Sequence, residues 1–469
     1  MTVLLAVVLG AAALAWWGVR RLRGEADFFV AGRRAGVWLV GVAGTAAAVS
    51  AFTFVGGPAL FTVVGAGSLW IVLSAPLTGA LQCWAVGEEV VELSRRRGIL
   101  TVPELLGARF DSAAVRGAAA IVVLVGCIAT LAVQARAAAV LGEQLLNVPA
   151  TTTALVTMLA TAAYAASGGM RVSLPAEAAQ GALMAGAAVL LAGAAMVAAG
   201  GPTAVLATLE RARPELLGPF GTVPPARAWA WWLLFCLGTC AQPHYLQKFL
   251  FLREAAALRQ LPAVLTLALA ATLTVWLGLG LAGAALVADG RLSLAATDDL
   301  TPQLMLLLGP WAVVVAGVAV LAALMSTAAS LLNLAAAAVT RDLPTALGRT
   351  PLGLPWARGS TAGIALAATA VALLSERAVA LLGIAGWGFF TAALLPALLV
   401  GLAWPLATPP AVVAAVAAGG AVDLGLEALR TTLPPGLEPG LAGAAVGALV
   451  LVGGSLFTRR QVPGKGPEP

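Results

Sequence analysis

The sequence predicts an all-α polytopic membrane protein of about thirteen transmembrane helices, arranged as a five-plus-five inverted repeat with two discontinuous helices. Three observations carry that expectation. The 469 residues are 61% hydrophobic and only 10% charged, with a mean hydropathy of +0.97, far from the usage of soluble domains. Apolar runs of about 20 residues, the length that crosses a bilayer, recur along the whole chain. Two of these runs, the second and the seventh, contain residues that a lipid-facing helix avoids, and five runs separate one start from the other. The same composition excludes soluble and nucleic-acid-binding classes.

In order, the apolar runs lie near 2–19, 37–61, 68–90, 117–146, 151–167, 176–199, 228–251, 261–287, 311–338, 360–374, 378–403, 410–424 and 440–457. The first lacks the positive n-region of a signal peptide and is followed directly by Arg20, Arg21 and Arg23, so it reads as a retained span that starts outside. Thirteen spans then leave the C-terminus inside. Charge agrees: of 27 Lys and Arg, 20 fall on predicted inner segments, Arg211, Arg213, Arg227, Arg291, Arg377 and Arg430 fall outside, and Arg136 is intramembrane. The formal charge of +6 is therefore a topology signal. Tryptophans follow suit, with Trp70, Trp229, Trp231 and Trp311 at predicted outer ends and Trp38, Trp84, Trp356 and Trp404 near inner ones. The expected setting is the plasma (inner) membrane, with the N-terminus outside and the C-terminus cytoplasmic.

Four parts are expected: residues 1–34, a peripheral N-terminal membrane helix and inner loop; 35–227, the first repeat (core helices 1–5) and an outer loop; 228–408, the second repeat (core helices 6–10); and 409–469, two peripheral helices and a tail. The outer segments 200–227 and 288–310 are long, and the second turns apolar through Leu304 to Leu308, which predicts a short helix on the outer face. The tail Gln461–Pro469, rich in Pro and Gly, is expected to be disordered. Cys83, Cys127, Cys236 and Cys240 all lie in apolar runs and read as packing residues.

The second run, Ala43 to Leu60, places small residues around Ser50 and Thr53 and follows them with Gly56-Gly57-Pro58. In a helix interior each Gly costs about 1 kcal/mol and Pro about 3 relative to Ala. Backbone freed by a break survives at membrane depth only when buried in protein or lining a wet cavity. The alternative is an ordinary Gly/Pro-kinked helix. The seventh run is interrupted by Gly238-Thr239-Cys240-Ala241-Gln242-Pro243-His244. In the ninth, Ala323, Ser326 and Thr327 stand at i, i+3 and i+4, and Ser330 and Asn333 continue the same stripe. A small hard cation wants oxygen ligands, which hydroxyls and helix carbonyls supply without a full charge. Serine and threonine in membrane helices also bond back to carbonyls one turn earlier, and that reading stays open beside the first.

These residues resemble the sodium:solute symporter family, which has the LeuT-type fold. The resemblance runs over roughly residues 25–345, through Ala26-Asp27-Phe28-Phe29-Val30-Ala31-Gly32-Arg33, Thr101 to Phe110, Ser167-Gly168-Gly169-Met170-Arg171, Gln242-Pro243-His244 and Met325-Ser326-Thr327-Ala328. It implies a co-transported sodium ion held by main-chain oxygens of Ala46, Val49 and Ala323 and the hydroxyls of Ser326 and Thr327. It also implies solute contacts at Ser50, Phe52, Thr53, Gln134, Phe235, Thr239, Gln242 and Pro243. Glu177 matches an acidic position that in some members helps to hold a second sodium, although Glu replaces the usual Asp, and Pro175 and Ala176 replace Trp and Thr. Glu177 is equally read as solvated at the start of the sixth span, or favouring its N-terminus, with Gln180 as a partner.

Arg136 has three readings: a partner for a solute carboxylate, a partner for Glu143, or a side chain reaching the outer interface. A hexose would need many buried hydrogen-bond partners, and this pocket offers few, so the expected solute is a small, partly apolar amino acid or monocarboxylate. The function so read is sodium-coupled symport by alternating access, in contact with lipid and a small solute, with no nucleic acid and no protein partner inferable. A single histidine, His244, and few intramembrane carboxylates argue against an enzyme. The alternative is a degenerate transporter-like protein without sodium coupling, proton-coupled or sensory.

Overall fold

In a computed structural model, residues 2–375, 377–430 and 433–460 are described, so the predicted disordered tail lies outside them. The chain is a sequence of helices. After α1 (Thr2–Arg21) and the short α2 (Glu25–Val30), the second apolar run folds as α3 (Val37–Ala48), a π-helical turn Phe52–Gly56 and α4 (Gly57–Val64). The third run is α5 (Leu69–Val72), α6 (Ala75–Gln82), a π-helical turn and α7 (Glu88–Arg97), followed by the short, largely buried helix α8 (Val102–Phe110). Then come α9 (Ala113–Leu145), α10 (Ala150–Gly168), α11 (Met170–Ala198) and, in the long segment that follows, α12 (Pro202–Ala212). The seventh run is α13 (Pro225–Gly238), a 3-10 turn Thr239–Ala241 and α14 (Pro243–Phe249). The remainder is α15 (Leu261–Ala288), α16 (Leu300–Leu308), α17 (Pro310–Ala337), α18 (Leu343–Ala346), α19 (Gly353–Leu374), α20 (Val379–Leu395), α21 (Pro409–Ala428) and α22 (Pro439–Arg460).

Among the described residues, ten helices are long and apolar enough, by length and composition, to cross a membrane. The expected thirteen is not reached by that measure, because the breaks shorten the second and seventh runs and the threonine-rich α10 falls outside it. Enclosure separates core from periphery. In the apolar window of α17, 78% of residues are buried, against 17% for α1 and 33% for α22. α17 packs on α3, α9, α11 and α19, whereas α21 and α22 pair with each other beside α20. Small residues set the close approaches: a Cβ on Gly57 would run into the ring of Trp276, and one on Gly181 would reach Ala46 at 3.0 Å.

The sequence motifs have local structural reasons. Thr101 caps α8, accepting from Glu104 N at 3.1 Å, while Glu104 Oε2 accepts from Leu100 N at 3.0 Å, so hydroxyl and carboxylate satisfy orphan amides at the helix start. Gly169 joins α10 to α11 at φ +54°, a conformation open to glycine, and its missing side chain leaves room for Phe28. The buried Phe28 and Phe29 hold α2 through their carbonyls, which accept from Asn333 Nδ2 at 3.1 Å and Gln247 Nε2 at 3.3 Å. An isolated parallel bridge, Ala35 to Leu252, links the segments before α3 and after α14.

At the predicted inner end, Asp342 accepts from Arg116 Nε at 2.9 Å and from Thr101 Oγ1 at 2.9 Å, and Arg341 reaches Glu25 at 2.9 Å and Glu104 at 3.3 Å. At the other end, the short helix expected near Leu304 to Leu308 is α16. It lies over α4 and α17, and Thr301 Oγ1 donates to Phe54 O at 2.8 Å. The four cysteines are buried and unpaired, consistent with packing.

Candidate functional site

The second run is discontinuous at Val49–Ser50, near the middle of the Ala43–Leu60 stretch, and Gly56-Gly57-Pro58 lies beyond the break. Val49 is extended (φ −84°, ψ 100°), whereas Gly57 and Pro58 open α4 in helical conformation, the position at which proline's missing amide is harmless. A broken helix leaves carbonyls behind and amides ahead without intrahelical partners. Here six of them can be followed. Thr45 O accepts from Val49 N at 2.8 Å, Ala46 O from Ser326 Oγ at 2.8 Å, and Ala47 O from Thr327 Oγ1 at 3.2 Å. Ahead of the break, Ala51 N donates to Gln134 Oε1 at 3.2 Å, Phe52 N to Ser50 Oγ at 3.2 Å, and Thr53 N to Ser50 O at 2.9 Å.

Ser326 Oγ also lies 3.0 Å from Ala323 O, so its single proton is shared between its own helix and the carbonyl of α3. Five oxygens, those of Ala46, Ala47, Ala323, Ser326 and Thr327, are thereby drawn together between the end of α3 and the buried middle of α17. Ala323, Ser326 and Thr327 are all 2% exposed or less. The arrangement differs from the expected set in one member: the carbonyl taken by Thr327 is that of Ala47, while Val49, one step into the extended turn, has no hydroxyl bonded to its oxygen among the described contacts.

The second break is likewise serviced by side chains. Gln242 is extended (φ −77°, ψ 111°), its Nε2 donates to Gly238 O at 3.2 Å and Trp387 O at 3.3 Å, and its own carbonyl starts α14 by accepting from Tyr245 N and Leu246 N. Gln82 Nε2 donates to Thr239 O at 2.7 Å and lies 2.6 Å from Thr239 Oγ1. Three glutamines, from α9, α6 and the second break itself, thus satisfy the backbone that the two breaks expose.

Between the breaks lies a cavity. Ser50, Phe52, Thr53, Gln134, Phe235, Thr239 and Gln242 line it, together with Val49 and Thr327. Pro243, expected among the solute contacts, does not. It is buried at the start of α14, where its lack of an amide ends the break. One wall is aromatic: Phe52 stacks on Phe235 at 5.9 Å and meets Trp276 edge-on at 5.1 Å, and Phe235 stacks on Trp387 at 4.8 Å. From there the cavity extends past Gly44 and Val40 toward Leu261 and Leu265, the predicted inner ends of α3 and α15.

Glu177 is neither solvated nor paired with Gln180. It is fully buried, ion-paired to Lys248 of α14, and accepts from Ser330 Oγ at 2.7 Å. Lys248, placed on a predicted inner segment on sequence grounds, is inside the protein because α14 packs on α3 and α17 after the break. Arg136 is partly buried and does not line the cavity, and among the described residues no ion pair joins it to Glu143, which is exposed. Its charge lies instead near Asp298 in the loop between α15 and α16, whose carboxyl is pushed up by burial, opposed by the Val379 amide and by Arg136.

Sequence reasoning missed Ala47, Gln82, Lys248, Trp276 and Trp387. Gln82 and Lys248 did carry a signal, as a lone amide and a lone charge within apolar runs. The two tryptophans had none, since only the packing of α15 and α20 brings them to the cavity.

The geometry can be set beside known proteins. A model of the sodium:solute symporter family matches residues 28–419. The sodium/pantothenate symporter of Escherichia coli is 27% identical over 329 residues, covering 68% of this chain and 66% of that protein. That of Haemophilus influenzae is 26% identical over 357 residues, covering 73% of this chain and 71% of its own. Among solved structures, the substrate-bound outward-open state of a Na+-coupled sialic acid symporter superposes with a TM-score of 0.82 over 97% of each chain, at 17% identity. A nucleobase-cation-symport-1 family transporter in a closed conformation gives 0.56 over 93% of this chain and 95% of its own, at 10% identity. At those identities the superpositions establish a common fold.

Proposed function

The chain belongs to the sodium:solute symporter family, which makes it an integral membrane transporter with sodium as the co-transported ion, and on that premise we propose how it couples ion to solute. Sodium sits where α3 ends, among the carbonyls of Ala46, Ala47, Val49 and Ala323 and the hydroxyls of Ser326 and Thr327. The single observation that carries this reading is the convergence of five of these oxygens at the break. Both hydroxyls donate to the carbonyls that the break leaves free. Rotating those two protons away would turn the hydroxyl lone pairs toward an ion, giving the all-oxygen neutral set that suits a small hard cation.

The ion would tie α3 to α17, and the solute would bind on the far side of the same break, at Ser50, Phe52, Thr53, Gln134, Phe235, Thr239 and Gln242. Each ligand then stabilises the conformation the other needs, and that coupling is reciprocal, typically about 1–3 kcal/mol. The solute is a small, partly apolar organic acid or amino acid. An aromatic wall offers apolar contact, and the amide groups of Gln82, Gln134 and Gln242 each have one side committed to backbone, which leaves few polar partners for a hexose. Pantothenate, the solute named for the two bacterial relatives, is a monocarboxylate of this kind. The proposed repeats are 35–227 and 228–408, flanked by 1–34 and 409–469, with the N-terminus outside and the C-terminus cytoplasmic, as the arginine distribution favours.

The test is uptake into proteoliposomes with sodium or choline, over a panel of pantothenate, amino acids, short monocarboxylates and sialic acid. Ser326→Ala with Thr327→Val should abolish sodium stimulation while leaving the melting temperature of the purified protein measurable and cooperative. Undiminished sodium dependence in that variant refutes the site. Uptake of every active solute equally well in choline refutes the coupling.

A further inference from the structure

Lys248 closes α14 and is 3% exposed, and its ammonium is held in a ring of its own. Nζ pairs with one oxygen of Glu177 and lies 2.8 Å from Ser330 Oγ, and Ser330 in turn donates to the other oxygen, Glu177 Oε1, at 2.7 Å. The ring of Phe251 lies 5.5 Å from the same ammonium. A carboxylate and a hydroxyl turned inward on one positive charge are the donors that hold a monovalent cation. The position sharpens the comparison: Ser330 stands one turn along α17 from Ser326 and Thr327, on the same polar stripe. A buried carboxylate must be compensated by a positive charge. Here the compensation is covalently attached.

We propose that Lys248 is a tethered occupant of a second cation site. Its ammonium satisfies both Glu177 and Ser330, leaving no donor free for an ion, and so confines the chain to one sodium per solute. This rests on the ion site at Ser326 and Thr327. Glu177 and Lys248 together are neutral. Removing the ammonium leaves a buried negative charge, a hydroxyl and a vacated volume beside the first ion, and a second sodium fills them. Removing both charges leaves no attraction for one.

Sodium activation of uptake in proteoliposomes reads this out. Wild type is expected to give a Hill coefficient of about 1, Lys248→Met a value rising toward about 2, and the doubly substituted Lys248→Met, Glu177→Gln a return to about 1, since the coefficient is bounded by the number of coupled sites. Radiolabelled sodium counted per solute should double in Lys248→Met. A transporting Lys248→Met with unchanged steepness and unchanged ion count overturns the proposal. Should Lys248→Met not fold, the wild-type flux ratio decides: one sodium per solute supports a resident ammonium, and two overturn it. Persistence of sodium dependence in Ser326→Ala, Thr327→Val is a separate failure, of the first ion site.

Discussion

Replacing Gln134 by Leu asks whether the first break is held by a side chain. Ala51 is fully buried, and its amide lies just beyond the extended turn, where the acceptor it finds is Gln134 Oε1 at 3.2 Å. Leucine keeps most of the volume and removes the acceptor. A buried amide left without a partner costs about 1–3 kcal/mol. If that penalty falls on the broken conformation relative to its competitors, the equilibrium between them moves by about 5–150-fold. The assays are thermal unfolding of the purified protein without solute and the maximal rate of sodium-driven uptake, both of which should fall. A residue that only touched solute would behave otherwise, raising the solute concentration for half-maximal uptake with the solute-free melting temperature unmoved. An unchanged melting temperature together with an unchanged maximal rate would refute the account of the break.

Further predictions concern the second break, the inner ion network, the core and the outer loop. Gln82→Leu strips Thr239 O of a donor at 2.7 Å and should lower stability by about 1–3 kcal/mol, seen as an earlier melt and slower uptake. Arg116→Met leaves the fully buried Asp342 without its cation and should destabilise by about 3–5 kcal/mol, partly recovered by adding Asp342→Asn; an unaltered melt would deny that the pair closes the inner end. Gly57→Ala drives a methyl into Trp276, and overpacking of about 1–3 kcal/mol should appear as thermal destabilisation. Because burial raises the Asp298 carboxyl, its favourable contribution is complete below the ordinary carboxylate range and is lost as pH rises through the raised folded value. Asp298→Asn should therefore gain on wild type in melting temperature as pH rises above the ordinary carboxylate range of about 4, and a gap that moves the other way would contradict the burial.

Much of this protein was settled by the sequence alone. Apolar runs long enough to span hydrocarbon must become helices, because lipid offers no partner to backbone amides and carbonyls. The order of the helices, the two interrupted runs, the short helix at Leu304 and the polar stripe from Ala323 to Asn333 all follow from local composition and helical period. What local pattern cannot supply is the identity of the partner across a gap. Composition marks the stretch from Ala43 to Leu60 as breakable without naming the residue, and the helix opens at Val49–Ser50, where Gln134 from α9 and Ser326 and Thr327 from α17 meet the freed backbone. Lys248 was assigned to a predicted inner segment and Glu177 read as solvated or ion-binding, since each reads alone as a charge near a helix end; packing of α14 against α3 and α17 made them each other's counter-charge. Propensity and hydropathy are sums over neighbours in the chain, whereas a buried charge or an orphaned carbonyl is satisfied by whatever side chain the fold brings within hydrogen-bond reach, and that is decided in three dimensions.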